Sequence, residues 1–258
     1  MTLRNKIVIV TGGNRGIGRA ISLAFAQEGA KVIIAARNET KAREVMDDIK
    51  KQGSECLFVR TDVSQSEEIH NLVKATLDEF KRIDILVSNA GIISIAPVVD
   101  LQEKEWDKIM EVNAKGVFLC CRAVAKQMIK QKSGKIINVS SRLGKVGVPR
   151  YAHYCASKAA VMVFSQTLAL ELAPYGINVN SVAPGIIETD MQRWEWEWDR
   201  KVRGMSLEEL KDEALATIPL RRMGTPEDVA RVVVFLASAD ADYLTGQSIN
   251  VTGGMEFR

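Results

Sequence analysis

Apolar residues fall in short runs along the whole chain, and each run leads into a stretch whose apolar positions recur every three or four residues. The runs predict strands at Ile7–Val10, Lys31–Ala35, Glu55–Arg60, Ile83–Val87, Lys135–Val139, Asn178–Val182 and Ser248–Val251. The periodic stretches predict helices at about 17–28, 39–51, 65–81, 103–131, 152–173 and 226–237. Strands apolar almost throughout are buried on both faces, as in a parallel sheet covered by helices on each side. Right-handed crossovers then give an α/β, doubly wound, seven-stranded parallel sheet with its ligand crevice at the strand C-termini. No repeat, low-complexity tract or Pro/Gly-rich linker interrupts the pattern, so residues 1–258 read as one domain. In the long 103–131 stretch, Trp106, Ile109, Met110, Val117, Ala123, Val124 and Met128 form a stripe expected to face the core. The irregular piece is about 186–224; it holds Trp194, Trp196, Trp198 and a dense set of charges.

Composition narrows the classes. With 258 residues, 47% hydrophobic and 26% charged, the chain can bury a full core. A net charge of +3 from scattered Lys and Arg argues against nucleic acid or an anionic membrane as partner. No stretch reaches the length of a membrane-spanning helix, and the apolar run after MTLRNK stops at Thr11, short of a secretory signal. Cys56, Cys120, Cys121 and Cys155 form no C-x-x-C pair, and His70 and His153 are too few for a metal cluster. The sequons at Asn38, Asn138 and Asn250 are read as chance matches. A cytoplasmic, reduced, metal-free protein is the expectation.

The first chemistry lies in TGGNRGIG, residues 11–18, between the first strand and the first helix. Strand, glycine turn and helix bring backbone N–H groups and a helix N-terminus up to a pyrophosphate. Gly12 permits the turn, Gly16 lets the backbone approach the phosphates, and Gly18 lets the helix pack closely; on spacing alone a plain glycine-rich turn stays open. At the end of the second strand, Ala36 stands where an NAD site usually carries a carboxylate, and Arg37 follows it. A guanidinium can bind a 2′-phosphate with two parallel bonds, and Arg15 could close on it from the other side. NADP(H) is therefore the preferred cofactor, with NAD(H) the lesser alternative; solvated surface arginines are the plain reading. Asp62-Val63 and Asn89-Ala90-Gly91 end the third and fourth strands at the same crevice, although Asp62 could equally cap a helix.

Tyr154 and Lys158 are four residues apart on a predicted helix, so their head groups share a face. An ammonium beside a phenol favours the phenolate, which lowers the tyrosine pKa and suits it to exchange a proton with an alcohol or carbonyl. Tyr151 has Cys155 at the matching position and lacks that partner. Asn113 interrupts an apolar stripe and, on the pattern alone, reads as a structural amide.

The ordered set TGGNRGIG, DV (62–63), NAG (89–91), VNAKG (112–116), SS (140–141), YCASK (154–158), the PG of VAPG (184–185) and LTGQSINVTGG (244–254) resembles the short-chain dehydrogenase/reductase family over essentially the whole length. The resemblance implies a Rossmann-type fold and reversible hydride transfer between a nicotinamide and a secondary alcohol or carbonyl. It implies Tyr154 as acid/base and Lys158 as the group that lowers its pKa and bonds the nicotinamide ribose. Ser141, thirteen residues before Tyr154, would polarise the carbonyl, leaving Ser140 as its neighbour. Asn113 would take a kink and proton-relay role, against the structural reading. Cofactor contacts would come from Gly12, Asn14, Arg15, Gly16, Ile17, Gly18, Arg37, Asn38, Asp62, Val63, Asn89, Ala90 and Gly91, and from Tyr154, Lys158, Pro184, Gly185, Ile187 and Thr189. In the family the segment after the PG largely walls the substrate pocket, which makes about 186–224 the expected substrate loop or lid. A small polar alcohol, polyol, sugar or ketone is expected first as substrate and a 3-oxoacyl-carrier-protein or thioester carbonyl second. A non-catalytic NADP(H)-binding redox sensor is the alternative of another class. Family members are commonly homotetramers, which makes that the expected assembly.

Overall fold

Each predicted strand forms, and all run the same way. The computed structural model describes residues 3–257. Strands β1 (Ile7–Thr11), β2 (Lys31–Ala36), β3 (Cys56–Arg60), β4 (Ile85–Ser88), β5 (Gly134–Val139), β6 (Ile177–Pro184) and β7 (Ser248–Val251) make one parallel sheet in the order β3-β2-β1-β4-β5-β6-β7. The helices are α1 (Gly16–Gln27), α2 (Glu39–Lys51), α3 (Ser66–Phe80), α4 (Glu103–Met110), α5 (Gly116–Gln131), α6 (Ala152–Leu172), α7 (Asp190–Arg203), α8 (Leu207–Thr217) and α9 (Pro226–Ala237).

Strand side chains alternate between two cores because successive Cβ atoms point to opposite faces. Val8 and Val10 pack with Ile21 and Phe25 of α1, Val45 of α2 and Val233 of α9. Ile7 and Ile9 pack with Leu72 of α3, Val124 of α5 and Val161 of α6. Full burial of each such side chain contributes about 1.5–3 kcal/mol. The order reverses between β1 and β4, so the crevice opens above their C-terminal ends.

The structure corrects the sequence reading in three places. The 103–131 helix is two helices joined by a π turn at Glu111–Lys115. That turn holds an extra residue and rotates everything before it by about 100° relative to the next helix. Of the expected stripe, Trp106 is 40% exposed, while Ile109 of the same helix, Val117, Val124 and Met128 are buried. Residues 186–224 are not irregular, because α7 and α8 occupy most of them. Thr189 caps α7 by accepting from the Gln192 N–H, Gly204 ends it at φ 68°, and Ser206 with Glu209 forms a capping box on α8. Ile83 lies outside β4, its backbone bonded instead to the Gln131 amide. No helix among the described residues is long and apolar enough to cross a membrane.

Candidate active site

The glycine turn sits over the C-terminal end of β1, and the strand on its other side holds it there. Asn89, just after β4, donates from Nδ2 to the carbonyls of Thr11 and Gly12 at 2.9 and 3.3 Å. Thr11 Oγ1 in return accepts the N–H groups of Asn89 and Ala90, each at 3.0 Å. Asn89 thus shapes the cradle with its side chain and leaves the Ala90–Gly91 backbone along it. Gly12 turns at φ 64°, and a Cβ on Gly18 would run into the Gly12 carbonyl oxygen. The N-terminus of α1 has no acidic residue in its first turn and no side-chain cap, leaving its N–H groups for an anion. Arg15 is exposed at that terminus and Ile17 is half-buried behind it.

At the ends of β2 and β3, Asn14 donates to the Asn38 carbonyl at 3.1 Å, and the Asn38 side chain caps α2. The Arg37 guanidinium stands 3.6 Å from Asp62. Asp62 Oδ1 accepts from the N–H and hydroxyl of Ser64, a local turn and not a helix cap, since α3 begins at Ser66. Partial burial opposes its charge, yet the bonds from Ser64 and the nearby Arg37 hold its carboxyl below the usual value. Val63 is buried against Gly116. On the far side, Pro184 ends β6, Gly185 lies against Thr252, and Ile187 pairs with Gly224. Thr189 comes within contact distance of a Cβ placed on Gly16. The donor set fits a dinucleotide: a bare helix N-terminus, a close-packed glycine cradle, and basic groups where a ribose phosphate would lie.

β5 delivers the chemical groups. Ser140, the last turn before them, donates to the Lys158 carbonyl at 2.8 Å and fastens α6 to the strand end. Ser141 accepts the Leu143 N–H at 3.2 Å and hydrogen-bonds Tyr154. Lys158 is buried, donates to the Val139 carbonyl at 2.9 Å, and has its ammonium 5.7 Å from the Tyr154 ring centre. Burial pushes the Lys158 ammonium down to about 8. Burial also raises the Tyr154 phenol, with the Glu195 charge adding to it and the Ser141 bond opposing it. This differs from the expected lowering: the lysine is in place, but the phenol is buried and desolvation is the largest effect on it.

Asn113 lies in the π turn and is wholly buried. Its Oδ1 accepts the Ile92 N–H and its Nδ2 donates to the Ile92 carbonyl, both at 2.9 Å, with Ser157 Oγ at 3.2 Å. A Cβ on Gly91 would stand 3.3 Å from Asn113 Oδ1 and 3.5 Å from Lys158 Nζ. The loop after β4, the π turn and α6 therefore meet at one point.

The segment expected as a substrate loop or lid supplies one wall, but the parts of Tyr151, Arg150 and Glu195 in it were not foreseen. Tyr151 at the start of α6 donates to Glu195 Oε2 of α7 at 3.2 Å. Arg150, at φ 73°, gives its carbonyl to the Ala96 N–H and lays its guanidinium 5.4 Å from the Trp198 ring centre. The three tryptophans separate: Trp196 is buried beneath Lys211 of α8, Trp198 meets Arg150, and Trp194 is 46% exposed. The alternating W-E-W-E-W hides the helix, but the Thr189 cap and Gly204 stop could have revealed it and set Glu195 on the face of Trp198.

A hydroxyl pair beside a buried ammonium, at the rim of a phosphate-binding turn, can hold a carbonyl oxygen and give it a proton. The family described as short chain dehydrogenase matches residues 6–200. A 3-oxoacyl-[acyl-carrier-protein] reductase of Staphylococcus epidermidis is 42% identical over 252 residues, 97% of this chain and 99% of that protein. A 3-oxoacyl-[acyl-carrier-protein] reductase of a Synechocystis species is 43% identical over 255 residues, 98% of each. The crystal structure of a short-chain alcohol dehydrogenase from Sinorhizobium meliloti superposes with TM-score 0.92 at 35% identity, over 98% of this chain and 97% of that one. Sequence and fold agree along the whole length, and the chain belongs to the short-chain dehydrogenase/reductase family, an oxidoreductase acting on CH–OH groups with NAD(P).

Proposed function

We propose that this enzyme uses NADPH to reduce a ketone to a secondary alcohol, and that 3-oxoacyl thioesters are its substrate class. The observation that carries the reaction is the meeting of Ser141, Tyr154 and Lys158 beside the glycine turn. The substrate class is supported by relatives at 42–43% identity that are reductases of 3-oxoacyl carrier proteins. That support moves the thioester ahead of the polyol, sugar or small ketone expected first. The small polar ketone remains a second reading because α7 turns a carboxylate, Glu195, toward the site.

When bound, the nicotinamide supplies hydride to the carbonyl carbon. Tyr154 gives its phenolic proton to the carbonyl oxygen, and Ser141 donates a hydrogen bond to it. Lys158, cationic below about 8, faces the phenol as it loses its proton. Asn113 fixes the Ile92 backbone against Ser157 and holds the π turn beside Gly91 and Lys158, the place from which a proton-relay role would act. Arg37 keeps donors beyond its single approach to Asp62, and with Arg15 it supports the preference for a 2′-phosphate. The cytoplasm is the setting, and a homotetramer through α5 and α6, where Phe118, Val163 and Leu170 are exposed, is the assembly.

The test follows NADPH consumption with a short 3-oxoacyl thioester, beside NADH. Turnover faster with NADPH, and a loss of about 10²–10⁴-fold in Tyr154→Phe with NADPH binding kept, supports the reading. Near-normal turnover in that variant removes Tyr154 from its role. Cofactor binding with no turnover of any carbonyl would leave a redox sensor.

A further inference from the structure

Glu195 carries a carboxylate on the inner face of α7 with one described hydrogen bond, from Tyr151, and no ion pair among the described residues. A carboxylate has about four acceptor sites, so most of its capacity is unspent. It stands in the catalytic neighbourhood, since its partner Tyr151 lies three residues before Tyr154 at the start of α6, and the Glu195 charge acts on the Tyr154 phenol. Its helix is held there through Arg150. Trp198, one turn further along α7, lies against Arg150, and Arg150 accepts the left-handed backbone that delivers its carbonyl to Ala96. Such a φ in a non-glycine residue persists only where the surroundings enforce it.

We propose that Glu195 is a specificity-determining residue: its carboxylate accepts a hydrogen bond from a neutral donor, a hydroxyl or an amide N–H, that the substrate carries beyond the reacting carbonyl. The proposal rests on the reductase reading above. A cationic group is disfavoured there because the Arg142 charge already acts on the carboxylate, and an anionic group is repelled by Glu195 and Asp199. Burial lifts the Glu195 carboxyl to about 7, so near neutrality a donor can tip it to the charged, accepting form. A pantetheine-like arm offers an amide N–H two carbons past the thioester sulfur, whereas a hydroxyketone offers a vicinal hydroxyl.

Two matched pairs separate these sources: 3-oxobutanoyl N-acetylcysteamine against ethyl 3-oxobutanoate, and acetoin against 2-butanone. The readout is how the ratio of kcat/KM within each pair changes from wild type to Glu195→Ala and Glu195→Gln, with NADPH affinity followed by fluorescence. The expected result is a fall in Glu195→Ala at least about tenfold larger for the donor-bearing member of one pair, partly rescued in Glu195→Gln, which keeps an acceptor oxygen. The pair that responds names the donor. Equal falls within both pairs, with turnover intact in the wild type, would reduce Glu195 to a prop for α7 and overturn the proposal alone. Wild-type protein that binds NADPH and reduces none of the four overturns the reductase reading and the proposal together.

Discussion

Lys158 shows what the site costs the molecule. Its ammonium is buried with one backbone carbonyl as partner, and its pKa of about 8 stands well below the ordinary 10.5. At neutral pH that depression corresponds to a few kcal/mol of lost stability, at roughly 1.4 kcal/mol per unit. Replacing Lys158 by Met removes the penalty but strands the Val139 carbonyl, worth about 1 kcal/mol. The net expectation at pH 7 is a variant about 2 kcal/mol more stable by urea denaturation and without turnover. The sign also fixes the pH course. Between about 8 and 10.5 the unfolded chain holds a proton at this lysine that the folded chain does not, so wild-type stability rises with pH and the variant's advantage closes. An advantage constant over that window would mean that Lys158 is not desolvated. The pairing of Tyr154 with Lys158 was legible from their spacing. Which way burial moves each group was not, because desolvation depends on everything packed around them.

At the scale of elements, the π turn decides how the substrate side is assembled. Asn113 offers both ends of its amide to Ile92, the pairing one strand residue makes with another, and so ties the loop after β4 to α5 and α6. Asn113→Ala should cost about 2–3 kcal/mol, speed hydrogen exchange at the Ile92 amide, and lower kcat more than NADPH affinity. Unchanged exchange at Ile92 would show that the loop is held by something else. An insertion of one residue into a helix leaves no mark on composition, which is why residues 103–131 read as one unbroken helix. The strands were legible because burial on both faces leaves little but Val and Ile to choose from. The segment after β6 was hidden for the opposite reason. α7 carries charges on most faces, its alternating tryptophans mimic a strand period, and only its caps speak for a helix.

Across the whole molecule, the groups proposed to bind the cofactor come from the ends of β1, β2, β3, β4 and β6 and from α6, elements spread over most of the sheet. Few of them could stay in place if any part of the sheet opened, so a ligand bound there stabilises the global fold rather than one corner. At one hundred times its Kd, NADPH should add about 2.7 kcal/mol, which in a chain of this size raises Tm by about 5–10 °C. The two basic groups at the rim make a sharper statement. Arg37 is mostly exposed and its pair with Asp62 is a long one, so removing it costs the apoprotein little, while a 2′-phosphate loses a bidentate partner. Thermal shifts with NADPH and NADH at equal concentration should therefore differ in the wild type and converge in Arg37→Ala, with the shift by NADH nearly unchanged. If NADH gives the larger shift in the wild type, Arg15 and Arg37 are surface charges, and Asp62 is free to serve the ribose side of a cofactor without the phosphate.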